Sequence, residues 1–295
     1  MPADRDHISA LTSQITDEIF AAFGLGKKSW PRRLFWPIFW LPAHPFGRLV
    51  AEIEQDTAHF GMTEAARRLL PRFVKQVQVI GAENIPAQGP LLIASNHPGA
   101  YDFVAIIANL PRPELKVVGS DVPLLHNLPA LDRRFIYTVS GTHGRMTALR
   151  NIIRHLQDGG ALLIFATGVV DPDPAVLPGA QEKLADWSPS LELALRRVPE
   201  ARLLPTIVSG VLSPASLRSP LLRFQKEAWR QRKLAEFIQV MQQLIFHRDY
   251  GLTPRLSFGE PLTAEELASR NPSGEIMPEI IAQARSLLER HLQAA

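Results

Sequence analysis

The sequence predicts an α/β fold: a largely parallel mixed sheet flanked by helices, preceded by a helical N-terminal extension. Two observations carry this. Short β-branched or apolar runs recur at 77–80, 91–94, 115–118, 135–139, 161–165, 203–208 and 255–258. Helical patterns lie between several of them, clearest at 146–156 and 191–198. Strands that alternate with helices need crossover connections, which lay helices on both sheet faces and bury the strands.

Ile8, Leu11, Ile15, Ile19 and Phe23 recur at helical spacing and predict an amphipathic first helix ending near Gly24 and Gly26. Residues 27–48 follow as a distinct basic, aromatic and proline-rich stretch, and a helical pattern over 49–70 is stopped by Pro71. These residues, 1–71, form the predicted extension, and 72–295 the α/β domain. Within that domain Phe103 to Leu110 reads as a helix. Ser188 then Pro189 marks another helix start, as a cap followed by proline in the first turn. A long helix is expected over 226–246, and Thr263-Ala264-Glu265-Glu266 has the spacing of a capping box.

Composition narrows the chemistry. Of 295 residues 46% are apolar, enough for a sizeable core, and a formal charge of +3 does not by itself argue for nucleic acid. With no cysteine there is no disulfide, thiolate metal site or cysteine nucleophile, which fits a reducing cytoplasm. His126, His143, His155 and His247 show no metal-ligand spacing, so no metal is predicted. No apolar signal core follows the polar start. The longest nearly unbroken apolar run, 34–43, contains Pro37 and Pro42, whereas a spanning helix needs about 20 apolar residues. Gly24 to Ser29 superficially has the look of a phosphate loop, but it lacks the first glycine and follows a helix.

One stretch carries chemistry. Leu91 to Ser95 reads as a buried strand, and Asn96-His97-Pro98-Gly99 follows at once. Pro98 and Gly99 break regular structure, so His97 is expected in the turn at the carboxyl end of that strand, the edge where open α/β sheets bind ligands. Asp102 then falls in the first turn of the next helix, where a carboxylate is favoured by the helix dipole. Folded back onto the imidazole, it would hold one ring nitrogen and leave the other as a proton acceptor. The plainer alternative is that His97 caps a turn and Asp102 caps a helix.

Asn-His-x-x-x-x-Asp after an apolar strand resembles the signature of the glycerolipid acyltransferases, the family of lysophosphatidic acid acyltransferase. The lead-in Val79-Ile80-Gly81-Ala82-Glu83-Asn84-Ile85-Pro86, the stretch Asp158-Gly159-Gly160 before Leu162 to Phe165, and Arg202 to Ile207 are similar to that family's neighbouring segments. The resemblance spans about residues 75–210. It implies transfer of a fatty acyl group from a thioester, acyl-CoA or acyl-carrier protein, to a hydroxyl of a lipid acceptor such as a lysophospholipid or glycerol phosphate derivative. In that reading His97 is the general base, Asp102 holds its ring, and Asn96, Arg145, Thr167 and Gly168 fall at substrate-binding positions. No cofactor is implied, and no acyl-enzyme is needed, in keeping with the absence of any Gly-x-Ser-x-Gly elbow.

The sequence departs from the family where its third motif reads Phe-Pro-Glu-Gly-Thr-Arg. Here Phe165-Ala166-Thr167-Gly168-Val169-Val170 keeps the phenylalanine and glycine and loses both charges. That departure speaks against a standard lysophosphatidic acid acceptor. It keeps two rivals open, a thioesterase or lysolipid hydrolase and a non-catalytic lipid-binding homologue. Arg145 and Arg150 either contact a head group or form the solvated face of their helix.

Lys27 to Arg48 adds a membrane expectation. It holds Lys27, Lys28, Arg32, Arg33 and Arg48, no acidic residue, and Trp30, Trp36 and Trp40. Aromatic rings beside basic side chains suit the water–lipid boundary, each basic residue adding roughly 1 kcal/mol near an anionic leaflet. The expected location is cytoplasmic, peripheral on the inner face of the membrane. The same aromatics could instead pack the N-terminal helices onto the core.

Overall fold

The computed structural model describes residues 5–22, 30–99, 101–139, 141–225 and 227–294; in the first two helices it describes side chains at 8–17, 40 and from 43 onward. The N-terminal helices are α1 (Arg5–Ala22), α2 (Trp30–Phe60) and α3 (Met62–Leu69). Strands follow at β1 (Gln78–Ile80), β2 (Leu91–Ser95), β3 (Lys116–Ser120), β4 (Phe135–Thr138), β5 (Ala161–Phe165), β6 (Arg202–Ser209) and β7 (Arg255–Phe258). Between and after them lie α4 (Asp102–Ala108), α5 (Pro129–Asp132), α6 (Thr142–Gln157), α7 (Ala180–Lys183), α8 (Ser190–Arg197), α9 (Pro214–Leu217), α10 (Ala228–Phe246), α11 (Ala264–Arg270) and α12 (Ile276–Gln293).

The seven strands form one sheet in the order β1-β7-β6-β2-β5-β3-β4. Every pairing is parallel except that of β6 with β7. The expected largely parallel mixed sheet is thus the observed one. β2 sits between β5 and β6, with Leu91 opposite both Ala161 and Arg202. All five of its residues are buried, as an unbroken apolar run in a parallel sheet requires. Period-2 alternation divides its side chains between two cores. Leu91 and Ile93 join Ala161 and Leu163 on the face packed by α3 and α4. Leu92 and Ala94 join Leu162 and Ile164 on the face packed by α8 and α12.

The N-terminal region is helical, but its breaks differ from those the sequence predicts. The pattern over 49–70 is two helices, interrupted at Gly61, whose φ of 83° lies in the left-handed region that favours glycine. α2 begins at Trp30 and runs through Pro37, Pro42 and Pro45, so it includes most of the basic, aromatic and proline-rich stretch. Each interior proline removes one backbone hydrogen bond. What offsets this is burial: Ala43, Val50 and Ala51 of α2 pack with Leu11 and Ile15 of α1 and with Leu124 and Leu128. Helix α12 was not anticipated from the sequence. The Thr263 capping box forms as expected, with Glu266 closing it.

α12 is joined to the sheet through one buried histidine. His291 meets Ser209 Oγ through Nε2 at 2.7 Å and Ser257 Oγ through Nδ1 at 2.8 Å. Burial, with the charge of Arg255 adding to it, pushes the imidazole down to about 4. The folded protein therefore keeps His291 neutral where the unfolded chain, with an ordinary value near 6.5, takes up a proton. Between those two values the unfolded state binds more protons, so stability falls as pH drops from about 6.5 to about 4, by about 3 kcal/mol in all. Urea midpoints at pH 7 and pH 4.5 should differ accordingly, and His291→Gln should remove that part of the difference.

Candidate active site

The site is built where β2, β5 and β6 end together. Asn96 continues the β2 ladder with its side chain: Nδ2 donates to Val208 O at 2.9 Å and Oδ1 accepts from Val208 N at 2.8 Å. Both of its polar groups are therefore engaged with β6. His97 comes next, in the turn at the carboxyl end of the strand. Its backbone is clamped to the loop after β5, donating to Asp171 Oδ2 at 2.9 Å and accepting from Asp171 N at 2.6 Å. Its ring stacks on Phe165, the last residue of β5, with centroids 4.1 Å apart.

The turn then brings Asp102 back to the ring. Asp102 is fully buried, and its Oδ2 lies 2.7 Å from His97 Nδ1 while also accepting from Gly99 N at 2.9 Å. Its Oδ1 accepts from Phe103 N at 2.5 Å, one of the free N–H groups in the first turn of α4. A carboxylate only accepts, so Nδ1 carries the proton and Nε2 is left with a lone pair. Gly99 makes the turn possible. Its φ is 92°, and a Cβ there would lie 2.3 Å from Oε1 of Glu236 on α10. Burial opposes charging of His97, but the charge and hydrogen bond of Asp102, with the charges of Glu236 and Asp171, outweigh it and raise the imidazole above its ordinary value.

His97 lines a cavity of about 780 Å³ between the sheet, α2, α3, α4 and α10. Its walls are almost wholly aliphatic and aromatic, Ala66, Val104, Ile107, Phe135 and Val240 among them. Val170 also contributes.

The remaining sequence-predicted positions are placed as follows. Thr167 lies on the turn after β5, where its hydroxyl donates to Asp171 Oδ1 at 2.9 Å. Gly168 is exposed on the same turn, with φ 69°. Arg145 is exposed in the first turn of α6 and does not line the cavity. Lys27 and Lys28 lie outside the described residues, as do the side chains of Trp30, Arg32, Arg33 and Trp36; Trp40 is exposed and stacks on His44. Among the described residues no helix is long and apolar enough to cross a membrane.

Three residues of the site escaped the sequence reading. Asp171 and Asp173 have a local signal, Asp-Pro-Asp-Pro directly after a buried strand, which marks a rigid turn at a sheet edge. Asp173 accepts from Ala175 N, Gly210 N, Val211 N and Leu212 N at 2.8–3.0 Å, tying the loop after β5 to the loop after β6. Glu236 has no local signal, since only the packing of α10 brings it to Gly99.

A buried strand, a histidine in the turn behind it and a carboxylate on the next helix thus meet at one edge of the sheet, the carboxylate on one ring nitrogen. Residues 76–183, which hold this arrangement, match the family model described as Acyltransferase. A solved structure, the 1-acyl-sn-glycerophosphate (LPA) acyltransferase PlsC from Thermotoga maritima, is similar at 15% identity over 98% of each chain, with a TM-score of 0.45. No curated protein matches the chain.

Proposed function

We propose that this protein transfers a fatty acyl group from an acyl thioester, acyl-CoA or acyl-carrier protein, to a hydroxyl of a lipid acceptor. The observation that carries this reading is a base–carboxylate pair opening on a large apolar cavity. His97 Nε2 takes the proton of the acceptor hydroxyl as its oxygen bonds to the thioester carbonyl carbon. Asp102 fixes the ring and stabilises the imidazolium that forms. As the carbon–sulfur bond breaks, the imidazolium returns the proton to the leaving thiolate. The chain's own groups supply every step, and no resident cofactor is called for.

The cavity takes an acyl chain, because aliphatic walls gain by excluding water from a hydrocarbon and offer little to a polar ligand. Residues 72–295 act as the α/β acyltransferase domain, and the extension 1–71 closes the cavity through α2 and α3. Lys27 to Arg48 is read as the contact with an anionic membrane on its inner, cytoplasmic face, which delivers the lipid acceptor. Filling the cavity from α3 should shorten the preferred chain: Ala66→Trp is expected to lower kcat/KM for an 18-carbon donor about tenfold relative to a 10-carbon donor. An unaltered chain-length profile in a folded variant would argue against acyl occupancy.

Incubation with labelled acyl-CoA or acyl-carrier protein and a total lipid extract, with mass identification of products, tests the function itself. A new lipid ester is expected. Free fatty acid alone would instead indicate a hydrolase, and lipid binding without turnover of any donor a non-catalytic homologue.

A further inference from the structure

The backbone N–H groups at the carboxyl ends of the central strands are where an anion would ordinarily be held. Here the protein's own carboxylates occupy them. Gly99 N and Phe103 N donate to Asp102, His97 N donates to Asp171, and Gly210 N, Val211 N and Leu212 N donate to Asp173. The segments concerned, 96–102, 166–176 and 210–213, contain those three aspartates and no lysine or arginine. Among the described residues the cavity is lined by three ionisable groups apart from its tyrosine: His97, Lys233 and Glu236. Lys233 is exposed, and its ammonium lies 5.3 Å over the Trp229 ring. The Glu236 carboxylate, by contrast, packs against Gly99 in the turn that holds His97.

We propose that the acceptor carries no net negative charge beside its reacting hydroxyl, and that Glu236 is a specificity-determining residue enforcing this. The inference rests on the acyl-transfer reading above and narrows its substrate. A phosphate monoester brings a charge of about −1.5 to −2 at pH 7. Next to His97 it would meet the fields of Glu236 and Asp171, with the six N–H donors named above already taken. A neutral polyol or an amine-bearing alcohol meets no such penalty, and a carboxylate can accept a hydrogen bond from either.

The test compares kcat/KM for monooleoylglycerol and oleoyl-lysophosphatidic acid, each with the same acyl thioester in neutral detergent micelles. Monooleoylglycerol should be favoured at least about tenfold, a difference worth 1.4 kcal/mol. Glu236→Gln should narrow the gap several-fold, and glycerol 3-phosphate should not compete in the wild type. Lysophosphatidic acid esterified as well as or better than monooleoylglycerol overturns the inference and leaves acyl transfer standing. Competition by glycerol 3-phosphate also overturns it, as does an unchanged ratio in a folded Glu236→Gln variant. If neither lipid is esterified and the thioester is only hydrolysed, the acyl-transfer reading fails, and this inference with it.

Discussion

His97→Ala is expected to lower acyl transfer by about 10³-fold or more, with the fold intact. Loss of a positioned general base typically costs 10²–10⁴-fold, and in the proposed reaction the imidazole also returns a proton to the leaving thiolate. Its removal leaves Asp102 buried without a ring partner, but Gly99 N and Phe103 N still hold the carboxylate. The stability cost should therefore stay near 1–2 kcal/mol, within what a domain of this kind tolerates. Circular dichroism melting beside the activity assay separates the two effects. The pH profile gives a second sign of the same residue. Because the carboxylates raise His97 despite its burial, its basic form is lost below a value above 6.5, and kcat/KM should fall on the acid side with a midpoint above pH 6.5. Asp102→Asn should move that midpoint down as it lowers the rate.

Asp173→Ala should be the most destabilising single change at the sheet edge, by about 3 kcal/mol or more. Asp173 is fully buried and accepts four backbone N–H bonds. Removal orphans four donors, of which Val211 N and Leu212 N belong to buried residues, and each unsatisfied buried donor costs about 1–3 kcal/mol. Asp173→Asn keeps one acceptor oxygen but turns an amide against the donors, so it should fall between wild type and alanine. Urea denaturation of the three proteins gives the order. The loop after β5 also clamps the backbone of His97 through Asp171, so the alanine variant should lose activity before it unfolds.

Most of the sheet was legible because strand periodicity and burial are local properties. All seven apolar runs became strands of the one sheet, and β2 sits at its centre. The His97–Asp102 pair was legible for a similar reason: six residues of turn and helix start hold both partners. What the sequence did not show depends on distant packing. Nothing near Glu236 distinguishes it from any other helical glutamate, and α12 earns its place only by burying Leu287, Leu288 and His291 on the sheet. Asn96 illustrates the opposite limit. Its position in the motif points to substrate, whereas its side chain bridges β2 to β6, a partner no local pattern reveals. That the proline-rich stretch is helical was not legible either, because the tertiary contacts of Ala43, Val50 and Ala51 are not local.

In the proposed reaction the acceptor oxygen attacks the thioester directly, with His97 as its base. A rapid-quench single turnover with labelled acyl thioester and acceptor lipid tests this most directly, by counting label on protein, on lipid and as free acid. Label should pass from thioester to lipid ester with none bound covalently to protein, and His97→Ala should abolish the ester without accumulating any bound label. A burst of protein-bound acyl, or ester formation undiminished in the variant, would contradict it.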